Sequence, residues 1–94
     1  MLSNLPIDLG RVKKEDLNKE ILRLGIIAEL DAVSLYEQLA AMADKEIISK
    51  VLLDIAGEEK THIGEFQTLL LEEDKEQEQE LEKGKEEIEK LKGE

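Results

Sequence analysis

The chain of 94 residues has no cysteine and no tryptophan, one proline, one tyrosine and one phenylalanine. Lacking cysteine, it can form no disulfide, zinc ribbon or iron–sulfur cluster and can carry out no thiol catalysis. Basic residues are scarce, 13 Lys and Arg against 24 Asp and Glu, for a formal charge of −11. Phosphate-neutralising contacts are therefore missing at scale, which excludes nucleic acid and anionic membranes as expected partners. No apolar run approaches the length of a membrane span, and no basic start followed by an apolar stretch marks a signal peptide. The expected compartment is the cytoplasm.

What is present is Leu, Ile, Glu and Lys, the composition of helices with a narrow apolar seam. The fold class this implies is all-α. A chain this short makes one small domain and buries a small share of its surface, so association would help it. An acidic surface also attracts cations.

Residues 1–13 hold Pro6 and Gly10 with no sustained period and are expected to form an extended arm. A first helix is predicted from near Asp16, with Leu22, Ile26, Glu29, Val33, Tyr36 and Ala40 on one face at alternating spacings of four and three. Leu24, Ile27, Leu30 and Leu35 widen its apolar surface, which implies packing beyond a single hairpin partner. The stretch Ala41 to Asp44 suits a turn, with Asp44 as N-cap of a second helix. On that helix Ile48, Leu52, Ile55, Glu59, His62, Phe66 and Leu69 form a second seam, and Gly57 and Gly64 mark either close helix contact or local weakness. Residues 14–73 thus read as an antiparallel hairpin. From residue 74 to 94 the chain turns to Glu, Lys and Gln. Asp74 and Gln77 have capping-box spacing, and Leu81, Ile88 and Leu91 make a thin stripe interrupted by Gly84, predicting a short, weakly held third helix with solvated charged faces.

Glu59-Lys60-Thr61-His62 spells Glu-x-x-His on the second seam, and His62 is the only histidine. A Glu and a His three apart share a helical face and can reach one metal ion. Alone, the motif arises by chance in Glu-rich helices, and a solitary histidine on an apolar face is commonly a hydrogen-bonded core residue. Position strengthens it, because Glu29 interrupts the other seam between Ile26 and Val33. Carboxylates buried together without a cation raise their pKa values or destabilise the fold, whereas a divalent ion satisfies both. Glu58, four residues before His62, competes with Glu59 as ligand; the three-residue spacing favours Glu59. Tyr36, two turns beyond Glu29 on the same face, is a candidate to hydrogen-bond a ligand or assist electron transfer, or else a core aromatic with a satisfied hydroxyl.

A ferritin-like di-iron centre takes one Glu from each of two helices and a Glu-x-x-His from each of two others. One chain supplies half of that set and a homodimer all of it, completing a four-helix bundle. Carboxylate and imidazole donors suit iron in both oxidation states. The expected activity is therefore ferroxidase, with Glu29, Glu59 and His62 as metal ligands and Tyr36 beside them. The rivals are a rubrerythrin-like or catalase-like di-metal peroxide enzyme and a metal-free helical assembly module.

The stretch from Ile27 to Glu37, followed by Glu58-Glu59-Lys60-Thr61-His62, resembles the encapsulated ferritins, short ferritin-like proteins housed in encapsulin shells. The resemblance covers roughly Leu17 to Leu71. It implies a hairpin that dimerises into a four-helix ferroxidase unit, a ring of ten chains, iron on the dimer axis held by Glu29, Glu59 and His62, and Tyr36 beside the centre. It implies iron storage by a surrounding cytoplasmic encapsulin nanocompartment. In some members two carboxylates form a site where metal enters; Asp31 matches one, and the other falls on Ala28. Residues 87–94 lack the look of a shell-targeting peptide, which leaves different targeting, a shortened chain, or the amino-terminal part of a shell fusion as explanations.

Overall fold

The computed structural model describes residue 4 and residues 8–93. Pro6, and with it much of the expected arm, lies outside the described residues. From residue 8 the chain is not extended throughout: Asp8, Val12 and Lys13 have extended backbone, and a 3-10 turn interrupts them. Asp8 accepts a hydrogen bond from the Gly10 amide at 3.1 Å and caps a 3-10 turn at Leu9–Arg11, and a second turn at Lys14–Asp16 leads into the first helix. A local aspartate-to-backbone bond gives order where no apolar period exists.

Helix α1 spans Leu17–Met42 and α2 spans Glu46–Glu73. Between them Ala43 turns extended, its N–H closing on the Leu39 carbonyl. Asp44 does not cap α2. The N-cap position is Lys45, whose carbonyl accepts from Ile48 and Ser49 and whose side chain makes no capping bond. The turn is one residue longer than an Asp44 cap allows, so the carboxylate precedes the amides it would serve.

The two helices lie antiparallel, held by the seams of fours and threes. Gly25 on α1 faces Phe66 on α2 so closely that a Cβ there would stand 3.3 Å from the ring. One turn further, Glu29 meets His62, so the register advances in step on both helices. Gly57 and Gly64 are not close-contact glycines within the chain, because an added Cβ at either meets nothing within 4 Å. Their carbonyls instead accept the hydroxyls of Thr61 and Thr68.

Among the described residues the buried core is small: Ala40, Ala56 and Leu70. Leu30, Leu35, Leu39, Ile47, Ile48, Val51, Leu53 and Leu69 are large, apolar and exposed. A hairpin has one inner seam, and the apolar stripes here are wider than that seam covers. An apolar hollow of about 240 Å³ lies over Ile47, Ile48, Val51 and Leu52 near the hairpin tip.

Asp74 ends α2 and starts α3, Lys75–Gly93. Its Oδ1 accepts from the Gln77 amide at 3.1 Å, as the capping spacing predicts. Its Oδ2 takes Arg23 Nη2 at 2.8 Å, while Arg23 Nη1 reaches Glu20 at 2.9 Å. One guanidinium thereby ties the start of α1 to the corner. The Gln77 amide, ahead of Arg23 and Lys19, holds the Asp74 carboxyl below its ordinary value. Helix α3 then leaves the hairpin, with no buried residue along it. Its 19 residues make it longer than the sequence pattern implies.

Candidate metal centre

Each seam carries a polar interruption at the same height. Glu29 stands on α1, and Glu59 and His62 stand one turn apart on α2, placed by the Glu-x-x-His spacing on the face that meets α1. His62 Nδ1 lies 3.4 Å from Glu29 Oε2 and 3.4 Å from Glu59 Oε2. One donor atom from each of the three residues falls within 4.8 Å of the other two. Donors on one ion, at metal–ligand distances of about 2.0–2.2 Å, stand at most about 4.4 Å apart, so small side-chain adjustments let the three share an ion.

The burial is uneven. The Glu29 and Glu59 side chains are 19% and 20% exposed, and His62 is 45% exposed. The carboxylates sit in the seam and the imidazole opens outward, toward a surface that a single chain leaves uncovered. Glu29 Oε2 is buried and has no hydrogen-bond partner. An ionised oxygen in that position is costly unless a cation meets it. The donor set of two hard carboxylates and one imidazole fits a first-row divalent ion such as iron.

The Phe66 ring packed on Gly25 closes the layer one turn away and gives the site an apolar wall. Sequence spacing pointed to Phe66 as seam. The partner that lets the ring approach is Gly25, and its signal was present in the sequence as a glycine four residues before Glu29. Lys60 reaches Glu37 across the helices at 3.1 Å, on the exposed rim.

The other sequence candidates fall differently. Glu58 is exposed and outside the cluster, whereas Glu59 is inside it. Tyr36 is half-buried two turns along α1, about 10 Å from Glu29 along the axis. Continuing the register of Gly25 with Phe66 and Glu29 with His62 sets it level with Ile55, so one chain does not bring it to its own cluster. Asp31 is half-buried on a different face from Glu29 and is not part of the carboxylate–imidazole group. No helix among the described residues is long and apolar enough to cross a membrane.

Comparison with known proteins agrees with the helical fold. The family model described as rubrerythrin matches residues 20–93, which takes in all three candidate ligands and α3. A ferritin-like-encapsulin shell fusion protein from Pyrococcus furiosus is 54% identical over 96 residues, covering 99% of this chain. The chain spans only 28% of that protein's length. The crystal structure of the encapsulated ferritin domain from Pyrococcus furiosus superposes with a TM-score of 0.83 at 49% identity, covering 99% of this chain and 97% of that one. An all-helical hairpin with a carboxylate–histidine cluster, matched in sequence and in shape along its whole length, belongs to the rubrerythrin family of ferritin-like proteins and is an encapsulated-ferritin domain.

Proposed function

We propose that this domain is a ferroxidase that oxidises iron(II) to iron(III) with oxygen at a di-iron centre shared between two copies of the chain. The observation that carries the reading is the convergence of Glu29, Glu59 and His62 within 4.8 Å around a buried carboxylate oxygen that accepts no hydrogen bond. Glu29 and Glu59 would hold iron through oxygen and His62 through imidazole nitrogen. A bound pair of iron(II) ions would supply the two electrons that, with two protons, reduce one dioxygen to hydrogen peroxide, leaving iron(III).

The chain's own residues do the rest. Glu29 Oε2, which accepts no hydrogen bond and has the His62 ring nitrogen standing off at 3.4 Å, is an acceptor open to a cation, so little rearrangement is needed when iron arrives. The neighbouring carboxylate of Glu59 offsets the charge of a second ion. The Phe66–Gly25 layer keeps water from one side. His62 turns its ring to the uncovered face, and a second hairpin laid there supplies the remaining Glu and Glu-x-x-His of a ferritin-like set. The exposed apolar stripes beside the site supply surface for that pairing. Residues 14–73 are then the catalytic hairpin, with 1–13 an arm and 74–94 a charged tail. Tyr36 assists electron transfer from its place along α1, and Asp31 serves metal access.

We infer the larger assembly from the resemblance to encapsulated ferritins. Dimers form a ring of ten, and an open ring holds no mineral, so iron passes to a surrounding shell. The P. furiosus relative, named as a fusion of a ferritin-like part with an encapsulin shell, supports placing this domain inside an encapsulin nanocompartment in the cytoplasm. A second reading, a peroxide-handling di-metal enzyme, is favoured by the rubrerythrin description of the family.

The deciding experiment is anaerobic iron(II) titration of the chain, followed by oxygen while near-ultraviolet iron(III) absorbance is recorded. Saturation near about one iron per chain with rapid oxygen-dependent absorbance supports a shared di-iron centre. Absence of saturable binding overturns it. Faster turnover with hydrogen peroxide than with oxygen moves the reading to peroxide handling.

A further inference from the structure

Helix α3 carries a stripe that the hairpin does not use. Leu81, Gly84, Ile88 and Leu91 recur at spacings of three, four and three, the core positions of a heptad. Leu81, Ile88 and Leu91 are 42%, 50% and 69% exposed, and a Cβ on Gly84 would meet nothing within 4 Å. The charges beside the stripe are sorted. Glu80 and Glu87 precede the Leu81 and Ile88 core positions on one flank, and Lys85 and Lys92 follow Gly84 and Leu91 on the other. Among the described residues Lys85, Glu87 and Lys92 make no ion pair within the chain, and Glu80 has only the exposed contact to Lys83 at 3.2 Å.

That sorting selects an orientation. In a parallel two-stranded coil each flank position before the core faces, on the other helix, the flank position five residues later. Glu80 would face Lys85 of the second copy, and Glu87 would face Lys92 of the second copy, in both directions across the pair. In an antiparallel pair like flanks meet, setting Glu against Glu and Lys against Lys. Ile88 and Leu91 also occupy the β-branched and leucine core positions that favour two parallel strands.

We propose that α3 is a self-recognition arm that pairs in parallel with α3 of a second copy of this chain, centred on Ile88. The pair is short and Gly84 leaves a gap in its core, so it is weak alone. Other contacts between the copies raise its effective concentration. The pairing makes no use of the metal centre.

The native chain has no cysteine, so one introduced thiol reports cleanly. In a parallel pair residue 91 faces its own copy at a separation that a disulfide spans. Under a mild oxidant and without metal, the full chain with Leu91→Cys is expected to cross-link roughly tenfold faster than with Glu82→Cys, which points away from the stripe. Adding K85E and K92E to Leu91→Cys should bring the rate down to that of Glu82→Cys. Mixing that chain with Leu91→Cys carrying E80K and E87K should restore fast cross-linking between the two, which also shows that both variants fold. Equal rates at positions 82 and 91, or a rate at 91 that ignores the charge reversal, overturn the proposal. The second outcome places α3 against an uncharged apolar surface such as that around Ile48 and Val51.

Discussion

Two adjacent layers of the hairpin, one helical turn apart, are built on opposite principles. In the first, Gly25 removes its own side chain so that the Phe66 ring can lie against the α1 backbone. The layer is apolar and its contact is made within one chain, with both residues half-buried. In the second, Glu29, Glu59 and His62 bring two carboxylates and an imidazole together around an oxygen that accepts no hydrogen bond. That layer is polar, half-open and incomplete. The first layer contributes stability by itself, whereas on the proposed function the second becomes favourable when a cation and a second copy arrive. Binding free energy of this kind appears as stability only in the presence of ligand.

The largest expected effect separates the two layers by activity. Glu59→Ala and His62→Ala should each lower oxygen-dependent iron(III) formation by at least about tenfold, taking 1.4 kcal/mol as the value of that factor, while leaving the helical circular dichroism signal in place. Retention of the full rate in both variants would remove the ferroxidase reading. In parallel, anaerobic iron(II) should raise the thermal midpoint of the native chain and not that of His62→Ala. A metal-free assembly module predicts no rise in either.

The apolar layer should respond the other way. Gly25→Val forces a branched side chain into the Phe66 ring and is expected to cost about 1–3 kcal/mol of stability, read by thermal or denaturant unfolding. Iron binding should survive well below the unfolding midpoint. If Gly25→Val melts like the native chain, the ring is not confined there.

A smaller effect distinguishes the remaining helix glycines from Gly25. Gly57→Ala and Gly64→Ala meet open space within the chain, so improved helix propensity should stabilise each by up to about 1 kcal/mol. Loss of stability at either position, together with a shift to smaller species in sedimentation, would show that the face is closed by another copy.

The smallest effect concerns the corner. The folded Asp74 carboxyl titrates below its ordinary value of 3.8. The charged form is therefore favoured by folding, and its contribution is fully present above that ordinary value. It is lost as pH falls through the lower folded value. Asp74→Asn should unfold earlier than the native chain at neutral pH, and the gap should close in strong acid. A constant gap across that range would mean that the carboxylate's charge is not what holds the corner.

Much of this was legible in the residues. The fours and threes of α1 and α2 located both seams. The polar interruptions at Glu29, Glu59 and His62 stood out because each occupies a position where an apolar side chain is expected. The Asp74–Gln77 spacing marked the second corner. Elsewhere local signals misled. Asp44 has the chemistry of an N-cap, yet the chain turns one residue later and leaves Lys45 there. The segment after residue 8 looked extended because it lacks periodicity, whereas Asp8 bonding to the Gly10 amide coils it. Gly57 and Gly64 drew attention as interruptions of a helix, while the glycine that matters for packing is Gly25.

The sequence by itself determined the helical class, the hairpin seams and the identity of the residues able to hold a metal, because periodicity and side-chain chemistry are local properties. Tertiary structure decided which groups actually meet. It brought Glu29 to His62 across the helices, left Glu58 outside, set Tyr36 level with Ile55 and sent α3 off the hairpin. Those outcomes depend on register and on the direction in which each helix leaves its turn. Both are fixed by how side chains from distant parts of the chain pack together, as Gly25 and Phe66 do.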